Sequence, residues 1–258
     1  MPNKKQIIDL AIIIPTLNEE HFVGYLLDSI IRQSVLPKEI VVVDAYSKDK
    51  TVNEVKKRQK ILKNIKIFRI PRYTIARQRN FGVKQTTSSH LLFLDADTEL
   101  RGVNILKSYF EEVERKHADI AIATNTPTTQ DLKDKVIFRA MDLIFKISKP
   151  IWPIATCMNM YVDRDTFDRA GGFDDSIAVG EDFEIVQRIV KNGGKFTIIS
   201  DPKIHTSPRR FEKEGRIRQV LKFTKSFIRI VKSGYRNNPI EYEFGHFTQD
   251  NQPRKRFR

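Results

Sequence analysis

His90-Leu91-Leu92-Phe93-Leu94-Asp95-Ala96-Asp97 decides how the chain must fold. An unbroken apolar run of this length reads as a strand buried on both faces. It ends by delivering two carboxylates, Asp95 and Asp97, to solvent at its carboxyl end. Outward from it, similar runs at 10–14, 40–43, 65–70 and 119–123 predict further strands. Between them the apolar spacing is helical. Phe22, Leu26, Leu27, Ile30 and Ile31 mark one face, and residues 49–60, 76–87 and 102–117 predict three more helices. Strand alternating with helix implies the α/β class, with a mostly parallel sheet covered on both sides. Ligands of such sheets bind beyond the carboxyl ends of the strands, here just after Ile14, Val43 and Leu94.

Each of those ends is polar: Pro15-Thr16-Leu17-Asn18-Glu19-Glu20, Asp44-Ala45-Tyr46-Ser47-Lys48-Asp49 and Asp95-Ala96-Asp97-Thr98-Glu99. The second half is less regular. Helices are expected over 133–148 and 182–191, and strands over 158–162 and 196–199. The tail from Asn237 onward has few apolar anchors and reads as loosely ordered.

The chain has 258 residues and a net charge of +14. From Lys203 to Arg258 there are 15 Lys and Arg against 5 Asp and Glu, so most of the excess lies in the last fifth. That asymmetry suggests an anionic partner at this end. The single cysteine, Cys157, excludes an internal disulfide and fits a reducing compartment. No stretch nears the roughly 20 apolar residues of a membrane span. A cytoplasmic protein, or one peripheral at the cytoplasmic membrane face, is expected.

Two carboxylates two residues apart, as in Asp95-Ala96-Asp97, can share a hard divalent cation with diphosphate oxygens. A turn is the plain alternative, outweighed by the companion clusters. Asp44 ends its strand and can accept from a base imide or a ribose hydroxyl. Ser47 and Asp49 are better placed to cap the next helix, which would leave Asp44 free. Arg77 falls in a first helical turn, where a cation opposes the helix dipole and so suggests a ligand. Arg79 reads as a surface salt bridge. Glu181 and Asp182 open a helix after Gly171-Gly172-Phe173-Asp174-Asp175. The dipole accounts for Glu181, a further candidate for phosphate or acceptor contact. Asp182 is placed to be a general base on an acceptor hydroxyl. His205 can supply a metal-ligating imidazole, and Arg209 and Arg210 can pair with phosphates.

Taken together, these segments resemble the family 2 glycosyltransferases, which have the GT-A (Rossmann-like) fold. The resemblance spans about residues 8–210. It rests on Ile-Ile-Ile-Pro-Thr-Leu-Asn-Glu-Glu (12–20), Val-Val-Asp-Ala-Tyr-Ser-Lys-Asp-Lys-Thr (42–51), Ala-Arg-Gln-Arg-Asn-Phe-Gly (76–82), Leu-Asp-Ala-Asp (94–97) and Gly-Gly-Phe-Asp-Asp…Gly-Glu-Asp-Phe-Glu (171–184). It implies inverting transfer from a nucleotide-diphosphate sugar, of UDP or GDP type, with Mg2+ or Mn2+. It implies a nucleotide pocket of Pro15, Thr16, Glu19, Asp44 and Arg77, with Asp95, Ala96 and Asp97 at the diphosphate. Asp95, Asp97 and His205 would hold the metal, and Asp182 would be the base. Many relatives have two acids and a glycine where this chain has Asp44-Ala45-Tyr46. The Gln-x-x-Arg-Trp string of processive synthases is not present, which argues for single additions to a glycan or lipid-linked acceptor.

The resemblance divides the chain into a catalytic domain, 1–210, and a basic extension, 211–258. Ile217, Val220, Leu221, Thr224, Phe227, Ile228 and Val231 form a helical stripe interleaved with bases. The stripe either packs on the domain, the favoured arrangement, or rests on an anionic bilayer. A nucleotidyltransferase would want glycines and a base after the first strand. A nucleic-acid binder would want aromatics on a basic surface, so none is expected as partner. A catalytically inactive relative that binds nucleic acid or a membrane surface is the remaining alternative.

Overall fold

A computed structural model describes residues 5–71 and 74–237. The reading of the tail from Asn237 onward as loosely ordered falls almost wholly outside the described residues: Asn237 ends a 3-10 turn (Tyr235–Asn237), and 238–258 are not described.

The first half alternates as its sequence pattern demands: β1 (Gln6–Thr16), α1 (Val23–Ile31), β2 (Val35–Asp44), α2 (Thr51–Gln59), β3 (Ile65–Arg69), α3 (Ile75–Lys84) and β4 (His90–Leu94). The runs are unbroken because each strand serves two cores. Leu10, Ile12 and Ile14 pack with Val23, Leu26 and Ile30 of α1 on one side, while Ala11 and Ile13 meet Ala76 and Val83 of α3 on the other. In β4, Leu92 and Leu94 join the first core and Leu91 and Phe93 the second. Side chains alternate along a strand, so a strand buried on both faces shows no polar beat. Thr74 starts α3 by accepting the Arg77 N–H at 3.3 Å.

The second half contains β5 (Thr98–Glu99), α4 (Ile105–Arg115), β6 (Ile120–Pro127), α5 (Leu132–Ser148), β7 (Asn159–Asp163), α6 (Arg164–Ala170), α7 (Glu181–Lys191), β8 (Phe196–Thr206), α8 (Arg209–Glu214) and α9 (Arg216–Ser233). The sheet order is β3-β2-β1-β4-β7-β6-β8-β5. The strands β1 to β4 are mutually parallel where they pair, and β6 is parallel to β8. Only β7 and β5 run against their neighbours, so the mostly parallel α/β sheet is as expected. Three features go beyond the sequence pattern. The two-residue β5 is too short for a period. The α6 helix is only about two turns long, with Asp163 accepting the Thr166 N–H and Gly171 closing it at φ 80°. The strand β8 continues from Ile199 through polar Ser200, Asp201 and Lys203 to Thr206.

The stripe on α9 packs on the domain only through Phe227, which lies against the second core. Ile217 is 79% exposed and Leu221 53%, whereas Gln219, Ser226 and Ile230 are buried. The helix is held by other contacts. Arg216 bridges to Asp131 and Asp134 at the start of α5, and Phe211 of α8 lies between Phe138 of α5 and Phe223 of α9. Trp152, beyond the end of α5, meets Phe227. The two helices therefore lie side by side.

Candidate active site

Thr16 and Asp44 are register partners at the last position of β1 and β2. Gln78 of α3 locks that edge by donating to the carbonyls of Thr16 (3.1 Å) and Val43 (2.8 Å). Asp44 is fully buried and is not free. It accepts from the Thr16 hydroxyl (3.2 Å), the Ser47 N–H (3.0 Å), the Ser47 hydroxyl and Arg69 Nε (3.2 Å). The expected division of labour holds only in part: Asp49 accepts the Thr51 N–H at the first residue of α2 (2.9 Å), whereas Ser47 spends its hydroxyl on Asp44. Arg69 also lies 4.9 Å from the ring centre of Tyr46, which is half exposed with φ 54°. Tyr46 stands where the sequence departs from the pattern of many relatives; Arg69 was not singled out from the sequence.

Beside that corner, β4 ends and Asp95-Ala96-Asp97 begins. It is a turn, with the Thr98 N–H donating to the Asp95 carbonyl at 3.0 Å, and Ala96 is buried in the first core. The turn still presents two acids in different hands. Asp95 accepts from Arg79 Nη2 at 3.1 Å, and burial raises its pKa against the pull of that guanidinium. Asp97 faces Arg209 Nε at 2.8 Å. Arg209 then reaches Glu19 through both terminal nitrogens, at 2.6 and 2.7 Å, and stacks 4.3 Å from the ring centre of Phe22. Burial pushes the pKa of Glu19 up to about 6, with Arg209 opposing the shift. Thus Arg209 is not part of the solvated basic face: it is a buried cross-link. The charge of Arg210 acts on both Glu19 and Asp95.

The other wall is the start of α7. Asp182 accepts the Cys157 N–H at 3.2 Å and the Phe183 N–H at 2.9 Å. Burial, then the neighbouring Glu181 charge, raises its pKa to about 7. Glu181 does more than favour a helix start, since it accepts from Arg79 Nη1 at 2.7 Å. Arg79 is 2% exposed and joins Asp95 to Glu181 over the face of Phe173, so it is no surface pair. Asn80 fastens the same helix to the glycine loop by bonding the Phe173 carbonyl and N–H and the Asp175 carboxylate. Arg77 is exposed in the first turn of α3. The signal for preferring Arg79 was present: Ala76, Arg79 and Val83 share one helical stripe and all are buried.

His205 pairs with Glu99 across β5 and β8, and the next Ser207 N–H donates to the Asp97 carbonyl at 3.1 Å. Hard carboxylates and an imidazole on adjoining strands are donors a divalent cation accepts. The cleft also has more acids (Glu19, Asp95, Asp97, Glu181, Asp182) than the two buried guanidiniums that face them. This chemistry fits a cation. Among the described residues, however, no three such side chains are gathered to hold one.

The sequence model of Glycosyl transferase family 2 matches residues 11–169, well over half of the chain. The minor teichoic acid biosynthesis protein GgaB of Bacillus subtilis is 23% identical over 92% of this chain, which spans 28% of GgaB. The mannosyltransferase PcManGT of Pyrobaculum calidifontis, solved with GDP-Man and Mn2+, superimposes with a TM-score of 0.69 at 21% identity, covering 90% of this chain and 66% of that one. Staphylococcus aureus TarS (1–349), solved with UDP, does so with a TM-score of 0.61 at 20% identity, over 78% and 60% of the two chains. At these identities the likeness in structure is one of fold, the GT-A fold.

Proposed function

The chain belongs to glycosyl transferase family 2, and from that premise we propose that it moves a sugar from a nucleotide-diphosphate donor to a hydroxyl of a glycan or lipid-linked acceptor, with inversion. One observation supports this above the rest: buried Arg79 ties Asp95, on the donor side, to Glu181, next to the base candidate Asp182. Donor and acceptor machinery are thereby held at a fixed separation, the condition for an in-line displacement.

Asp182 takes the proton of the acceptor hydroxyl as that oxygen bonds to the anomeric carbon. The bond from that carbon to the diphosphate oxygen breaks, and the nucleoside diphosphate leaves with the electron pair. A carboxylate with a pKa near 7 suits this role at neutral pH. Pro15, Thr16, Glu19, Asp44 and Arg77 are proposed for the nucleotide side. Asp44 shapes the pocket from beneath by holding Thr16, Ser47 and Arg69. Asp95, Asp97 and His205 would hold Mg2+ or Mn2+, which offsets charge on a departing diphosphate. Arg210 and Glu181 are candidates for phosphate or acceptor contact. Residues 1–210 form the catalytic unit in this reading, and the part from 211 onward adds a peripheral membrane contact. GgaB is named for minor teichoic acid biosynthesis, which supports an acceptor among cell-envelope glycans.

The test is a screen of nucleotide-sugar donors that follows nucleoside diphosphate release, first with Mn2+ and then with chelator. Release from a UDP- or GDP-sugar is expected, lost on chelation. Asp182→Asn should abolish transfer and keep nucleotide binding. A chain that neither binds nor hydrolyses any donor would sink the reading, and full activity in Asp182→Asn would remove the base.

A further inference from the structure

Of the seventeen large apolar side chains left exposed among the described residues, twelve lie on α5, the turn after it and α9. Neither helix needs to look like this for the fold. In α5 the exposed set runs Leu132, Val136, Leu143, Ile144 and Ile147, with Ile151 (87% exposed) beyond its end. Those residues are four, seven, one, three and four apart, which keeps them on one side of the helix, so they make one stripe. The stripe on α9 is exposed too, and the two helices lie side by side through the Arg216, Phe211 and Trp152 contacts. A monomer in water rarely leaves so many large apolar side chains exposed on two neighbouring helices.

Charge says what covers it. The α9 helix carries six bases and no acid. The α5 helix carries four bases and two acids, and both acids are already spent, Asp134 on Arg216 and Asp142 on Lys146. A second copy placed on this face by two-fold symmetry would set these bases against themselves. Apolar stripes flanked by bases match a surface that is anionic outside and hydrocarbon inside.

We propose that α5 and α9 together form one docking face for an anionic phospholipid bilayer, each helix lying in the interface with its stripe inward. No helix among the described residues is long and apolar enough to cross a membrane, so the contact is peripheral. The face borders the cleft. The α8 helix at one end of this arm begins with Arg209 on Asp97, and a Cβ on Gly180, one residue before Glu181, would meet Ile230 and Tyr235 at the other end. Docking therefore brings the mouth of the site to the headgroup level, where a lipid-linked acceptor presents its hydroxyl. That purpose rests on the glycosyltransferase reading, but the docking itself does not.

The experiment is sedimentation of the full chain with phosphatidylglycerol-rich vesicles and with phosphatidylcholine-only vesicles, alongside Ile144→Glu/Ile147→Glu on α5 and Ile217→Glu/Leu221→Glu on α9. The wild-type chain should pellet with the anionic vesicles, and each pair of substitutions should lower the partition by at least about tenfold. Circular dichroism and nucleotide binding should stay unchanged in both variants, because the four side chains are exposed. Equal pelleting of wild type with both lipids, no pelleting at all, or full pelleting of the α5 variant overturns the proposal. So does a dimer, seen by light scattering, that the same substitutions dissolve without vesicle binding. Nucleotide binding on the same samples separates the two claims: its loss in the wild type would count against the transferase reading alone.

Discussion

Arg79 and Asp182 show how far single residues can be read. A surface salt bridge at Arg79 would be worth at most about 1 kcal/mol. The structure buries its guanidinium between Asp95 and Glu181, so Arg79→Met leaves two acids facing each other without a cation. A loss of about 3–5 kcal/mol in urea denaturation is expected, and a loss below 1 kcal/mol would restore the surface reading. As the proposed base, Asp182 would carry the pH dependence of transfer. Its pKa in the folded chain is raised, to about 7, and only the ionised form accepts a proton. Transfer should therefore rise with pH through about 7 and level off above it. A profile of kcat/KM that is flat between pH 6 and 8, a range of about one unit either side of that value, argues for another base. The acids Asp95, Asp97 and Asp182 were legible because strand and helix ends place them. The buried cation Arg209 was not, because a charge run looks solvated until its partners come together from residues far apart in sequence, whereas the spacing of Arg79 from Ala76 and Val83 already marked it as buried.

At the scale of elements, α3 sets the geometry of the cleft, since Gln78, Arg79 and Asn80 each fasten a different wall. Such fastening needs the helix close to the sheet, and Gly82 provides it. A Cβ there would stand 2.5 Å from Ile13 Cγ2 and 3.3 Å from Val43 Cγ2. Gly82→Ala gains about 1 kcal/mol of helix propensity, but it overpacks a core that cannot yield, at a cost of about 1–3 kcal/mol. A net loss of up to about 2 kcal/mol is expected from the two terms, together with weaker nucleotide binding by calorimetry. Unchanged stability would show that α3 can move off the sheet. The strands of the first half were legible because burial on both faces leaves unbroken apolar runs. The direction of β7 was not, since periodicity is the same whichever way a strand runs. The outward stripe of α9 was also hidden, because an apolar face is equally amphipathic whether it meets a core or a bilayer.

For the whole molecule, the question is whether the two cores and the site respond as one unit. Each of β1 and β4 contributes alternate residues to both cores, Ile12 and Leu92 to one, Ile13 and Phe93 to the other. Neither core can come apart without stripping the shared strands from its counterpart. Arg209 adds a tie of long sequence separation, from Glu19 beside β1 to α8. Calorimetry on the full chain should therefore show one cooperative transition for the two cores, not two. The proposed donor site lies at the common edge of these strands, so nucleotide binds the intact sheet and not the unfolded chain. At a hundredfold excess over its dissociation constant it should add about 2.7 kcal/mol to stability, raising the whole transition without splitting it. Two separated transitions, only one of which moves with nucleotide, would show that the cores unfold independently and that the site belongs to a single core.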